Sequence, residues 1–261
     1  MAEEYERVRS GYPAALVERA LEVGGLEPGD AVLEIGPGTG KLTRELVGHG
    51  LVVDAVEPDA DLVEVARTIV PEASVRFHVE TFEETDLPQG SFRAAFAATS
   101  YHWIDPAVGW AKVADLLGSA GLLALFGHAG GTQGSIDEAI TRVWDGITES
   151  RWKVIDDEAF WAGADSRLDN VSELWAWLSR HDLARPEAAS LFRDVELARE
   201  PFEQTLTVED YLARIRTTNN YLHLAPEAQQ RLERGLAAVL DAHGGTYTSK
   251  YFAVLVTALR A

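Results

Sequence analysis

Between residues 31 and 47 the chain changes period across five residues, Gly36-Pro37-Gly38-Thr39-Gly40. Residues 31–35 (AVLEI) form an apolar run of strand length. The residues after Gly40 set Leu42 and Leu46 on one helical face. Glycines in a strand-to-helix turn let backbone approach a ligand where any Cβ would collide. The helix that follows starts with N–H donors that have no partner within the helix. A dinucleotide fingerprint needs G-x-G-x-x-G, whereas this turn reads G-x-G-x-G and continues with Lys41. A phosphate-cradling G-x-x-x-x-G-K-[ST] loop is missed by one residue, because Lys41 follows Gly36 too closely. The spacing weakens both phosphate readings.

The same alternation continues to residue 126, with strands expected over 51–56, 75–79, 92–98 and 122–126 and a helix over about 107–117. Strands that are apolar along most of their length imply a sheet covered on both faces, and hence mostly parallel. Glu57 ends the second strand, where a carboxylate can accept two hydrogen bonds from a ribose diol. After residue 128 a Gly-rich hinge (128–134) leads into helical segments holding Trp144, Trp152, Trp161, Trp175 and Trp177. Strand character returns over 191–207, and Thr207 is placed to cap a helix beginning VEDYLARI. Pro226 opens a second helix, where its missing N–H costs nothing. TYTSKYFAVLVTAL follows as a last strand. The expected fold is α/β, a doubly wound, seven-stranded, mostly parallel sheet with its last strand inserted antiparallel. The expected division is a cofactor-binding core (1–129), a helical cap and substrate lid (130–190) and a segment completing the core sheet (191–261).

Charge and composition limit the partners. The 42 acidic and 23 basic side chains leave a formal charge of -19, which repels phosphate backbones and anionic lipid heads. No nucleic acid and no membrane are therefore expected as partners. The chain has no cysteine, so there is no thiol nucleophile, disulfide or sulfur-built zinc site. Residues 1–10 are charged from position 3 and have no apolar core, so no secretory leader and a cytoplasmic location are expected.

LEIGPGTGKLT, VDAVEPD, FHVETFEETDLPQGSF, ATSYHWIDP and LLGSAGLLALF occur in that order within residues 5–127. Together they resemble the successive motifs of class I S-adenosylmethionine-dependent methyltransferases, and within them the small-molecule "methyltransferase type 11" group. The resemblance implies S-adenosyl-L-methionine as cofactor, S-adenosyl-L-homocysteine as its product and a small-molecule acceptor. It places Glu34, Gly36, Pro37, Gly38 and Gly40 around the methionine portion, with Glu34 near the ammonium. It gives Glu57 the ribose hydroxyls and puts Pro58 and Asp59 beside the adenine. Thr81 and Phe82 meet the adenine edge, Phe82 mainly through its backbone N–H, although Thr81 stands where the family commonly has an acid. Ala98 and Thr99 end the fourth strand beside the sulfonium, and Trp103 joins the cofactor side. Arg9-Ser10-Gly11-Tyr12-Pro13 resembles an R-P-x-Y-P element in which Tyr12 closes over the cofactor and Arg9 meets its carboxylate. Arg93, where relatives have aspartate, reads as a surface change.

Methyl transfer from a sulfonium disperses charge, so the enzyme mainly positions the partners and excludes water. His102 follows the fourth strand and is either a general base or an orienting group, the latter favoured. His128 is a second candidate base. Asn219, Asn220 and Tyr221 read as a helix-terminating turn before a substrate contact. The tryptophans read as the core of a helical cap before an aromatic pocket beside Asp156, Asp157 and Glu158. Thr99-Ser100-Tyr101-His102 lacks the [DNS]-P-P-[YFW] tetrapeptide of DNA amino-methyltransferases, cytosine-5 chemistry lacks its cysteine, and no metal site is expected. The alternatives are other chemistry on the same cofactor (cyclisation or decarboxylation), a silent binder, and, from another class, a nicotinamide oxidoreductase.

Overall fold

A computed structural model describes residues 6–9, 11–130, 135–148 and 157–261. Ser10, Trp152 and Asp156 lie outside the described residues. After α1 (Ala14–Gly24) the chain alternates β1 (Ala31–Ile35), α2 (Lys41–Gly48), β2 (Val52–Val56), α3 (Ala60–Ile69), β3 (Val75–His78), β4 (Phe92–Ala98), α4 (Pro106–Leu116) and β5 (Leu117–Ala129). There follow α5 (Ser135–Asp145), α6 (Asp157–Asp165), α7 (Val171–Ser179), α8 (Ala188–Leu191), β6 (Phe192–Thr207), α9 (Val208–Arg216), α10 (Asn219–Leu222), α11 (Pro226–Ala242) and β7 (Thr246–Arg260). One seven-stranded sheet has the order β3-β2-β1-β4-β5-β7-β6. The pairs β1–β2, β1–β4, β2–β3 and β4–β5 are parallel, and β7 runs antiparallel to β5, as the sequence implied.

β1 and β4 consist almost wholly of buried side chains, so they need cover on both faces, and helices supply it. Helix starts are chemically marked. Asp59 accepts the Asp61 and Leu62 N–H groups at α3. Asp105 accepts from Ala107 ahead of Pro106 at α4, and Thr207 accepts from Asp210 at α9. β5 is longer than the 122–126 expected. Leu117 already pairs with Phe92, and the register shifts before Ala94 pairs with Leu122. That irregularity, with Ala120 at φ 54°, lets a glycine-rich stretch that reads as loop join the sheet. Residues 128 and 129 of the expected hinge belong to β5, while residues 131–134 lie outside the described residues.

The chain divides into two compact units. One comprises residues 11–129, 160–200 and 252–261. Its core contains Leu33, Ile35, Ala95, Ala97, Trp110, Leu123, Leu125, Trp175 and Val256. The other comprises residues 1–10, 130–159 and 201–251, with a core of Ile140, Leu206, Tyr211, Tyr221, Leu232, Leu236 and Leu240. Residues 130–190 thus contribute to both units, with 130–159 in one and 160–190 in the other.

Candidate functional site

The strand order reverses between β1 and β4, and in open sheets the crevice beyond the carboxyl ends of such strands receives ligands. Residues 36–40 leave β1 at that edge, and Gly36, Gly38 and Gly40 all have positive φ, at 68°, 58° and 87°. They are needed for different reasons. A Cβ on Gly36 would lie 2.5 Å from Ser100 Cβ, so strand packing requires that glycine. A Cβ on Gly40 would come within 3.3 Å of Ala66 and Val70 on and after α3. A Cβ on Gly38 would meet nothing within 4 Å, so its bare backbone faces open space. The turn is tied down by Gly36 N to Val56 O (2.9 Å), Gly40 N to Pro37 O (2.9 Å) and the Ser100 hydroxyl donating to Ile35 O. Pro37 is buried within it.

Glu34 has no exposed surface, and neither carboxylate oxygen has a hydrogen-bond partner. Burial, reinforced by the nearby Glu57 charge and opposed by the Thr43 dipoles, raises its pKa to about 7. Thr43 on α2 stands close enough to moderate that shift, although its hydroxyl makes no hydrogen bond either. Glu57 Oε2 accepts from Gly38 N at 3.0 Å and Oε1 from Asp59 N at 3.1 Å. Each oxygen keeps a lone pair for a further donor. Burial raises the Glu57 pKa, against the two N–H bonds, which lower it. Pro58 and Asp59 are exposed next to it.

Thr81 and Phe82 follow β3. The Thr81 hydroxyl donates to Glu84 Oε2 at 2.7 Å, and its carbonyl accepts from Thr85 N. The Phe82 ring is buried in the core beneath the Lys112 ammonium, 5.3 Å from the ring centre, so a ligand contact there falls to backbone. Ala98 is half-buried. Thr99 has φ 55°, an unusual conformation for a β-branched residue, and its N–H is held by Phe126 O at 2.9 Å. Tyr12 reaches the same edge, where its hydroxyl is bonded to Thr99 Oγ1 and its ring stacks on His128 at 5.1 Å. Arg9 lies in the other unit, where its guanidinium donates to the Thr217 hydroxyl (3.1 Å) and carbonyl (3.2 Å).

His102 is half-buried, and Trp103 beside it is 62% exposed. Sequence reasoning missed His181, whose ring stacks on His102 at 4.5 Å. Burial and, less strongly, the His181 charge lower the His102 pKa to about 4. At neutral pH the imidazole is uncharged and a weak proton acceptor, which favours orientation over general-base work. Of the described tryptophans in that segment, Trp161 and Trp175 are buried, and Trp144 and Trp177 are partly buried against core clusters. Trp161 packs edge-on to Phe160 and Phe252, and the Trp177 indole donates to Phe160 O at 2.9 Å. Tyr221 binds Glu233 through its hydroxyl and accepts Gln229 Nε2 at 3.1 Å, so it braces helices. Arg93 faces solvent and donates to Gly25 O at 3.3 Å beyond the end of α1. Among the described residues no group of three or more His, Asp or Glu could hold a metal ion. None of their helices is long and apolar enough to cross a membrane.

The site is thus an open α/β sheet with a glycine turn and two buried carboxylates, Glu34 and Glu57, at its switch point. Residues 32–121 match the family model described as "Methyltransferase domain", and this segment is a class I S-adenosylmethionine-dependent methyltransferase domain. An uncharacterised methyltransferase of Mycobacterium tuberculosis is 37% identical over 121 residues, 46% of this chain and 47% of that protein. The match thus spans about half the length of this curated relative. Among solved structures, a putative type II methyltransferase from Anaeromyxobacter dehalogenans superposes with TM-score 0.60 at 21% identity, covering 97% of this chain and 96% of that one. A phosphoethanolamine N-methyltransferase of Haemonchus contortus, in complex with phosphomonomethylethanolamine and S-adenosylhomocysteine, gives TM-score 0.50 at 15% identity, covering 99% of this chain and 56% of that one. At these identities the two structures share the fold.

Proposed function

We propose that this chain transfers the methyl group of S-adenosylmethionine to a small-molecule acceptor (EC 2.1.1.-). The observation that carries this reading is the fully buried, unpartnered Glu34 carboxylate at the end of β1, beside a turn whose Gly38 opens onto free space. A buried acid without a partner is costly, and a cationic ligand group offsets that cost. An ammonium held by Glu34, and hydroxyls held by the remaining lone pairs of Glu57, describe the two ends of a nucleoside that carries a free amino acid. Pro58, Asp59, Thr81 and the Phe82 backbone flank the adenine in this reading. Ala98 and Thr99 lie along the reacting centre, with Tyr12 over it.

When bound, the cofactor supplies an electrophilic methyl on sulfur, and in-line displacement leaves S-adenosylhomocysteine. The chain's own part is to fix the approach line and exclude water. Neutral His102 and the Tyr12–Thr99 pair orient groups at the strand ends, and no proton need be stored there. Titration calorimetry with S-adenosylhomocysteine tests the site, and methyl transfer across a metabolite panel tests the reaction. Binding without transfer to any acceptor would leave a silent binder, and no binding would reject the site. His102→Ala is expected to keep cofactor affinity within about tenfold, since a neutral orienting bond is worth ~1 kcal/mol. A large loss of turnover at retained affinity would return His102 to the role of base.

A further inference from the structure

The turn that carries Thr81 and Phe82 begins three residues beyond β3, whose last carbonyl, His78 O, accepts from Glu57 N at 3.0 Å. Within the turn Thr81 O accepts from Thr85 N at 3.1 Å and from the Thr85 hydroxyl at 2.9 Å. Two further ties come from α4. The Lys112 ammonium donates to Glu83 O at 3.0 Å and to Thr85 O, and lies 5.3 Å from the centre of the buried Phe82 ring. Glu83 Oε1 accepts in return from Asp105 N at 2.7 Å, at the N-cap of the same helix. α4 buries Trp110, Val113 and Ala114 in the core, so the turn is fastened at two points to a packed element. The chain carries 42 acidic side chains, yet this cation is given two carbonyl oxygens and an aromatic face. Donors bound to carbonyls fix the peptide planes on either side of the turn, which an exposed ion pair would leave free.

We propose that Lys112 and Glu83 are positioning residues for base recognition: they fix the turn whose Phe82 N–H meets the adenine edge, and so make the site selective for adenine. The inference rests on the cofactor reading above and deepens it. Adenine presents a lone pair at N1, whereas hypoxanthine presents an N–H at the same atom. A fixed backbone N–H pairs with the first and is left unpaired by the second, while a loose turn swings away from the mismatch. A turn already held by a packed helix also loses little freedom when the base arrives.

Calorimetry on the full chain compares S-adenosylhomocysteine with S-inosylhomocysteine for the base, and with 5′-methylthioadenosine for the amino-acid end. The wild type is expected to prefer adenine over hypoxanthine about tenfold or more. Lys112→Met, which keeps the stem without a donor, should cut that preference below about threefold and leave the amino-acid preference unchanged. Lys112→Arg, which retains the charge and N–H donors for both carbonyls, should keep it. Glu83→Ala should lower the base preference in the same selective way, and it carries the test where Lys112→Met does not fold. General loss of packing would lower every affinity alike and leave both ratios as they were. An unchanged base ratio in the variant, an amino-acid ratio that falls with it, or loss of the preference in Lys112→Arg would overturn the proposal. So would a wild type that binds S-adenosylhomocysteine without any base preference. Absence of heat with S-adenosylhomocysteine on the wild type would instead overturn the cofactor reading, and the inference with it.

Discussion

At Glu34 the chain keeps a fully buried acid, with Thr43 on α2 beside it to ease its charge only in part. Its folded pKa of about 7 lies above the ordinary 4.5, so between those values the folded state holds a proton that the unfolded chain has released. Stability therefore falls as pH rises through that window, by on the order of 3 kcal/mol in all. Urea unfolding of wild type and Glu34→Gln at pH 5 and pH 8 checks this. The wild type should lose stability relative to the variant at the higher pH, and a difference that stays constant would contradict the buried-acid account. Glu57 behaves differently because its oxygens are already engaged by Gly38 and Asp59. Glu57→Ala is expected to weaken S-adenosylhomocysteine binding by ~1.5–3 kcal/mol, roughly 10- to 150-fold, in calorimetry. Glu34, Glu57 and the three glycines were legible because each sits within a few residues of a strand end. His181 was not legible, since 79 positions and several elements separate it from the ring it stacks on. No local pattern encodes such a meeting.

The strand–turn–helix element carries three glycines for three reasons, and substitution separates them. Gly36→Ala should destabilise the fold, because the new methyl would meet Ser100 Cβ in the packed interior. Gly38→Asn should fold with nearly native stability, since Asn tolerates positive φ and the added group meets nothing. It should nevertheless abolish calorimetric binding of S-adenosylhomocysteine, and retained affinity would place the nucleoside elsewhere. At this scale the sequence was informative where period and length were clear. β1 and β4 have the boundaries their apolar runs predict, and the Thr207 and Pro226 helix starts agree as well. β5 was underestimated at both ends, because Gly118, Ala120 and Gly121 look like a loop until a neighbouring strand supplies pairing. The sequence favoured a core over an aromatic pocket for the indoles of this segment. Packing decides it, for Trp175 is buried and covers Gly127 on β5.

Across the whole molecule, protection should follow the sheet. β4 and β5 are central and buried, whereas β3 and β6 form the two edges, with no fully buried residue in β3 and half of β6 exposed. Hydrogen exchange read by NMR is expected to be slowest in β4 and the second half of β5, at the limit of global unfolding, and fastest along β3 and β6. Equal protection in edge and centre would contradict this order. The sheet order has a further effect during translation. β7 lies between β5 and β6, yet the ribosome delivers β6 first. Until residues 246–260 leave the exit tunnel, β6 has no neighbour to hydrogen-bond, and a nascent strand in that condition invites pairing with another polypeptide. Arg193, Asp194, Glu196, Arg199, Glu200 and Glu203 load it with charge of both signs, so the interval of synthesis in which it waits is also the one in which its own side chains discourage the wrong partner.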